Sequence, residues 1–261
     1  MFTMINPIQP FQREQVRSLW MFIAFSIMFM SCTDEYEGEA FEEDKAYNLE
    51  IPANFPALLF DTDKNPVTVN GVALGKKLFY EGKLSRNNTI SCGFCHIQEY
   101  AFTHHGHPVS HGIDDKLGIR NAPPIQNMAF LKNYTWDGVS HNLDERSLVP
   151  ITTDFEMGSS LPEVVSKLSQ DASYKRLFKA AYGDDNITGE RVLKALSQFM
   201  VTMISADSKY DRMKKGTATF TNEEKQGLTL FQTKCASCHS GDLFTDESYR
   251  NTGMYYNAQY D

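Results

Sequence analysis

The sequence lacks an excess of basic residues, a long apolar run and any convincing stretch of alternating polar and apolar residues. Its 25 Lys and Arg stand against 33 Asp and Glu, a formal net charge of -8. This balance argues against nucleic acid as a partner. No apolar run approaches the ~20 residues that a helix needs to cross a bilayer. The absence of strand-like alternation predicts a mostly α-helical fold.

One shorter apolar run, Leu19–Met30, follows Arg13 and Arg17, which is the arrangement of a secretory signal peptide. The run ends just before Cys32, and this junction resembles the lipobox of bacterial lipoproteins, in which the Cys is acylated. The alternative is a soluble periplasmic protein with an incidental Cys in its signal. We predict a signal peptide of lipoprotein type over residues 1–32, a lipid anchor at Cys32 and a periplasmic location.

Cysteine is scarce, and its placement is specific. Of five Cys, four fall in two Cys-x-x-Cys-His runs. This run is the attachment signature of a c-type haem, in which each thiol adds to a vinyl group and the His reaches the iron. A disulfide framework is the alternative, but it does not explain why a His follows each pair. We predict two covalently bound haem c groups, held by Cys92, Cys95, His96, Cys235, Cys238 and His239.

The text around the two haem runs repeats in the same order. The matching segments are Gly75-Lys76-Lys77-Leu78-Phe79 and Gly227-Leu228-Thr229-Leu230-Phe231 before the runs, and Ala101-Phe102-Thr103 and Leu243-Phe244-Thr245 after them. The repeat predicts two related, cytochrome c-like haem domains in tandem. We place the first at residues 49–204 and the second at residues 205–261, after an acidic tether at residues 33–48.

Three helices are predicted from capping residues that precede apolar stripes. Ser160 and Glu163 are spaced as a capping box, and so are Thr221 and Glu224. Thr188 is a single N-cap. The stripe after Thr188 contains several Met, which at helical spacing are predicted to pack in the core and not to bind iron.

Five histidines lie outside the haem runs, and four of them crowd the loop after the first run. A second axial ligand makes a haem iron an electron carrier, whereas an open position lets the iron react with peroxide. These histidines are therefore candidates for the residue that decides function. The alternative is a solvated His-rich loop or an adventitious metal patch. The five are His104, His105, His107, His111 and His141.

Further segments extend the pattern over nearly all of residues 50–261. They are Leu74-Gly75-Lys76-Lys77-Leu78-Phe79, Ile90-Ser91-Cys92, Ala101-Phe102-Thr103, Ser110-His111-Gly112-Ile113, Gly118-Ile119-Arg120-Asn121, Tyr134-Thr135-Trp136-Asp137-Gly138, Leu148-Val149-Pro150, Phe155-Glu156-Met157-Gly158 and Arg250-Asn251-Thr252-Gly253. In these segments the chain resembles the bacterial di-haem cytochrome c peroxidase family, which includes the MauG-type enzymes.

The resemblance implies a detachable distal His at the first haem, and it favours His111 over its three neighbours for that role. It also implies that Glu156 lies at the peroxide-reducing iron, where a carboxylate can move a proton from one oxygen of peroxide to the other. Taken alone, Glu156 would be an ordinary surface acid. Where the family often has Gln, this chain has Arg146, which either stabilises negative charge on peroxide or pairs with Glu145 or Asp144.

The resemblance further implies that Trp136 carries electrons between the haems, whereas core packing is the alternative. Asn121 resembles the family's side-chain ligand to a Ca²⁺ between the haems. The family continues well beyond residue 261 and takes the sixth ligand of its second haem from that part, Met in the peroxidases and Tyr in MauG. The second domain is therefore expected to be truncated here.

The implied activity is that of an exported peroxidase that reduces hydrogen peroxide to water. Its electrons would come from a small cytochrome c or cupredoxin, entering at the His239 haem and reaching peroxide at the His96 haem. A homodimer is a candidate assembly. Two alternatives stay open: a MauG-like oxidase that modifies a side chain of another protein, and a non-enzymatic di-haem electron-transfer cytochrome.

Overall fold

Helices joined by long irregular loops make up the fold, which the computed structural model describes for residues 44–251 and 253. The predicted signal peptide, Cys32 and most of the tether lie outside the described residues. The α-helices are α1 (Val69–Phe79), α2 (Cys92–Cys95), α3 (Leu143–Arg146), α4 (Leu148–Thr152), α5 (Leu161–Ser169), α6 (Ala172–Tyr182), α7 (Gly189–Val201), α8 (Lys209–Lys214) and α9 (Asn222–Lys234). Short 3-10 turns lie at Gly82–Leu84, Gln98–Tyr100, Ile113–Asp115 and Met128–Phe130.

No sheet forms within the described ranges, where β-pairing is limited to isolated bridges such as Ile97 with Thr103 and His111 with Leu117. The predicted mostly α-helical fold is therefore confirmed. Between residues 44 and 251, none of the helices combines the length and the apolar character that a membrane span requires. The domain boundary at residues 204 and 205 stays a prediction.

The predicted helix starts are confirmed, with one difference in detail. Thr188 accepts a hydrogen bond from the backbone at the start of α7, and Thr221 and Glu224 form the complete capping box of α9. At α5 only half of the box is present, since Ser160 accepts from the backbone N–H of Glu163. The Glu163 carboxylate instead forms an ion pair with Lys167, one helical turn along α5.

Helices α1 and α7 cross in the middle of the core, and a glycine allows the close approach. Leu74 and Leu78 of α1 and Leu196 of α7 are fully buried there. A Cβ atom added at Gly75 would lie 1.9 Å from the backbone carbonyl oxygen of Ala195. The backbone of α7 cannot yield as a flexible side chain could, so this position admits only glycine without a shift of the helices.

Replacing Gly75 with Ala should lower the free energy of unfolding by about 1–3 kcal/mol, because the added methyl group overpacks the crossing. Gly227 occupies the equivalent place in the repeat, on α9, and a Cβ atom there would meet nothing within 4 Å. Gly227→Ala is therefore the matched control, and it should stabilise the chain by up to about 1 kcal/mol through helix propensity. Thermal unfolding of both variants measures the difference, and equal effects would contradict the packing argument.

Candidate active site

One large cavity, of about 1370 Å³, draws its lining from the segments of both haem runs. The first run contributes Cys92, Cys95 and His96, and the second contributes His239. The volume exceeds the ~300–1,000 Å³ of a typical pocket for one drug-sized ligand. The cavity can therefore hold a group larger than a small substrate.

The two haem-run histidines are held in the same way, as the repeat in the sequence leads one to expect. His96 follows α2, and its Nδ1 lies 2.9 Å from the carbonyl oxygen of Phe102. His239 Nδ1 lies 3.1 Å from the carbonyl oxygen of Phe244. A backbone carbonyl can only accept, so Nδ1 carries the proton in each ring and Nε2 keeps the free lone pair that a metal needs.

Both carbonyl groups belong to residues with a left-handed backbone, since Phe102 and Phe244 each have a φ of 56°. The sequence repeat had located these segments without indicating that their backbone would fix the histidine rings. Burial lowers the pKa of His96 below its ordinary value, which also favours the neutral, ligating ring. These features fit a haem ligated by each histidine.

No disulfide joins the four cysteines of the haem runs, so the alternative of a disulfide framework is not borne out. Burial raises the pKa of Cys92 to about 12 and also raises that of Cys95. Cys92 and Cys95 both line the cavity, whereas the lining from the second run includes His239 without Cys235 or Cys238. The first run is therefore the more enclosed of the two.

Glu156 lies on the cavity wall, in the turn that follows α4. Burial raises its pKa, and the positive charge of Arg146 acts in the opposite direction. Within the described part of the chain its carboxylate forms no hydrogen bond or ion pair. Its backbone is held, because the Glu156 carbonyl oxygen accepts a hydrogen bond of 2.7 Å from the N–H of Ile113. An unpaired, partly desolvated carboxyl group of this kind suits proton transfer.

Arg146 lies at the end of α3 and also lines the cavity. Its Nε donates to the carbonyl oxygen of Tyr134 at 3.1 Å, and its Nη1 is shielded from solvent without a hydrogen-bond partner. The alternative of pairing with Asp144 or Glu145 is not what the structure shows. Asp144 instead accepts a hydrogen bond of 2.7 Å from the amide of Asn65.

Trp136 is another cavity-lining residue, and its side chain is 55% exposed, so core packing does not explain it. The indole Nε1 donates to the backbone carbonyl oxygen of Asn121 at 2.9 Å. The side-chain amide of Asn121 donates in turn to the carbonyl oxygen of Pro108. No group of three or more His, Cys, Asp and Glu side chains arranged to hold a metal ion occurs among residues 44–251. The role of Asn121 as a Ca²⁺ ligand stays a prediction.

His111 lies next to the cavity without lining it, whereas its neighbours Ser110 and Gly112 both do. Its Nδ1 is 2.6 Å from Asp115 Oδ1, and its ring packs edge-on against His107 at a centroid distance of 5.0 Å. The structure thus brings Glu156, Arg146 and Trp136 to the wall beside His96, but it does not place the His111 ring there.

The other loop histidines have partners of their own. His104 Nδ1 lies 2.6 Å from the hydroxyl of Ser110, and His105 stacks on Tyr100 with a centroid distance of 4.3 Å. His141, which lies outside this loop, contacts Asn133, and both residues line the cavity.

Comparison with known proteins agrees with this geometry. The model of the family described as di-haem cytochrome c peroxidase matches residues 69–219. The chain is 34% identical over 208 residues to methylamine utilization protein MauG of Methylophilus methylotrophus, covering 78% of this chain and 61% of that protein. It is 33% identical over 194 residues to cytochrome c peroxidase Ccp of Escherichia coli K12, covering 73% of this chain and 41% of that protein.

Solved structures give the same result. A MauG-like protein associated with microbial copper homeostasis superposes with a TM-score of 0.70 at 32% identity, covering 79% of this chain and 63% of that one. The diheme peroxidase BthA from Burkholderia thailandensis, at 21% identity and a TM-score of 0.60, shares the fold. The chain thus spans 41% to 61% of the length of the two curated relatives compared. On the family match and the two haem runs, the chain belongs to the di-haem cytochrome c peroxidase family, whose cofactor is haem c.

Proposed function

We propose that this chain is an exported di-haem peroxidase that reduces hydrogen peroxide to water with electrons from a small cytochrome c or cupredoxin. One observation carries the proposal: a free carboxyl group, that of Glu156, shares a cavity wall with the haem-attachment residues Cys92, Cys95 and His96. An electron-transfer cytochrome needs no such group, whereas peroxide cleavage does.

The attachment residues have defined tasks in this proposal. The thiols of each haem run would hold one haem through thioether bonds, and each histidine would ligate the iron through Nε2, since Nδ1 is bonded to a backbone carbonyl. When bound, the haem supplies the redox-active iron that takes peroxide and delivers electrons to it.

Glu156 would move the proton that cleavage requires. It takes a proton from one oxygen of hydrogen peroxide and returns it to the other, which leaves as water when the O–O bond breaks. Two electrons from the donor and two protons from solvent complete the reduction to two molecules of water. Burial brings the pKa of Glu156 up from its usual acidic range toward the pH at which a base and an acid are both needed.

Trp136 would transfer electrons between the two haems. Its ring lines the same cavity as His96 and His239, and the bond from its indole N–H to the Asn121 carbonyl oxygen fixes the ring plane. Electrons received at the second haem would pass over Trp136 to the first. A Ca²⁺ near Asn121, a lipid anchor and a homodimer are further expectations of this proposal.

A MauG-like oxidase is the second candidate, because relatives named MauG match at 34% identity. In that case the electrons would come from a side chain of another protein and not from a soluble carrier.

A steady-state assay tests the choice. Haem-loaded protein is reduced by one electron and given peroxide, and the oxidation of a reduced cytochrome c is followed by absorbance. Stoichiometric, sustained oxidation of the cytochrome supports the peroxidase. Consumption of peroxide without it favours the oxidase, and no consumption of peroxide contradicts both enzymes. A pyridine haemochrome assay should give two haems per chain.

In this proposal His111 occupies the iron of the first haem until the second haem is reduced, and so gates the access of peroxide. Replacing His111 with Gly should therefore remove the need for prior one-electron reduction and the lag that precedes turnover. We expect the initial rate of the fully oxidised variant to exceed that of the wild type by about 10-fold or more, as for a competent state that is only a minor population before activation. His105→Gly, in the same loop, is the control and should keep the wild-type lag. Identical lags in the wild type and His111→Gly would exclude the gating role.

A further inference from the structure

We propose that the cavity wall at Arg146 is a binding site for small monovalent anions, which its guanidinium neutralises. The inference rests on the proposed function and deepens it. It means that the peroxide-reducing site contains a fixed positive charge that binds the hydroperoxide anion.

The first observation is an unmet donor on a partly buried cation. The Arg146 guanidinium stays charged in proteins, and its Nη1 is removed from solvent without any hydrogen-bond acceptor. Burial lowers the pKa of Arg146, as expected for a cation without full compensation. Leaving such a donor unsatisfied costs roughly 1–3 kcal/mol or more, so it calls for an explanation in terms of a ligand.

The second observation is that nearby acids are already committed. Asp144, two residues before Arg146, accepts from the Asn65 amide at 2.7 Å. Asp137 forms an ion pair of 3.0 Å with Arg120. Neither carboxylate contacts the Arg146 guanidinium, and Asp137 acts on its positive charge only through space.

Glu156 does not neutralise the guanidinium by contact either. The two side chains act on each other through space, but no hydrogen bond or ion pair joins them within the described residues. Both side chains line the same cavity, so the wall between them suits the hydroperoxide anion that remains when Glu156 has taken a proton from hydrogen peroxide.

The third observation is preorganisation. The bond from Nε to the Tyr134 carbonyl oxygen, at 3.1 Å, restricts rotation of the guanidinium. Tyr134 itself is buried, and α3 is capped by the side chain of Asn142. A donor fixed in advance binds an anion without paying again for its own ordering.

Azide, a small monovalent anion, is the probe. The haem-loaded protein is first reduced by one electron, so that the distal His does not occupy the first iron, and is then titrated with azide and separately with neutral imidazole. Binding is followed by the absorbance of the haem. Arg146→Gln should weaken azide about 10- to 100-fold, as for a lost hydrogen bond to a charged group. Arg146→Lys keeps the positive charge but loses the planar set of guanidinium donors. Its azide affinity should lie between those of the wild type and Arg146→Gln. Imidazole affinity should change less than about 2-fold, because no charge is involved.

Arg86→Gln is the matched control, because it also removes one positive charge, from an exposed pair with Asp114 outside the cavity. It should leave azide affinity unchanged. Equal losses for azide and imidazole in Arg146→Gln, or no azide binding by the wild type, would overturn the proposal. The proposal would also be overturned if Arg146→Gln altered the midpoint potential or the haem content but left azide affinity unchanged. That pattern would identify a haem propionate as the partner of Arg146. Azide binding needs no turnover, so it can succeed even if the peroxidase assay fails.

Discussion

Replacing Glu156 with Gln should lower peroxide turnover by about 10²–10⁴-fold, the usual contribution of a positioned general acid or base. The amide has nearly the same shape as the carboxyl group but cannot carry a proton between the two oxygens of peroxide. The Glu156 carboxylate forms no hydrogen bond or ion pair in the described structure, so the substitution breaks neither kind of interaction. Steady-state rates with reduced cytochrome c as donor measure the loss.

The pH profile provides a second readout for Glu156. Burial raises the pKa of this carboxyl group above the ordinary Glu value of 4.5. The base form is the carboxylate, so kcat/KM should be low at pH values below this raised pKa and should rise as the pH increases through it. The acid limb should disappear in Glu156→Gln. Glu50→Gln, at an exposed position outside the cavity lining, is the control and should keep both the rate and the limb. A wild-type rate in Glu156→Gln would remove Glu156 from the mechanism.

Features that depend on neighbouring residues were predictable from the sequence. The haem runs, the N-caps of α5, α7 and α9, and the mostly helical fold each follow from spacings of a few residues. The same holds for the internal repeat, which recurs in the structure as matched bonds from His96 to Phe102 and from His239 to Phe244. Local pattern is enough for such features, since the interacting groups lie within one or two turns of chain.

The surroundings of Arg146 could not be predicted in this way. Pairing with Asp144 was the local alternative, but Asp144 is taken by Asn65, which lies 79 residues earlier. Gln198, buried on α7, accepts from Thr68 and donates to Asn65, and so holds that segment against α3. A partner set by tertiary packing leaves no signal near Arg146 in the sequence. The carbonyl groups that hold the histidines were hidden for another reason, since any residue type carries the same backbone atoms.

Replacing Gly112 with Ala should lower peroxide turnover by about 100-fold, the loss that a displacement of the order of 1 Å at a catalytic group can cause. A Cβ atom at Gly112 would lie 2.0 Å from the carbonyl oxygen of Phe155 and 2.6 Å from that of Glu156. The φ of Gly112 is -104°, which any residue adopts, so the clash is the whole effect. The loop that carries His111 and the turn that carries Glu156 must then move apart.

Gly118→Ala, in the same loop, is the matched control, because its nearest contact would be an ordinary 3.4 Å to the carbonyl oxygen of Ser110. It should keep the wild-type rate, and both variants should bind two haems. The bond from Ile113 N–H to the Glu156 carbonyl oxygen joins the two segments. Separating them should therefore shorten the activation lag, as in His111→Gly, and also reduce the rate, as in Glu156→Gln. If Gly112→Ala changes only one of these two quantities, the gate and the acid-base group move independently, and the hydrogen bond at Ile113 does not couple them.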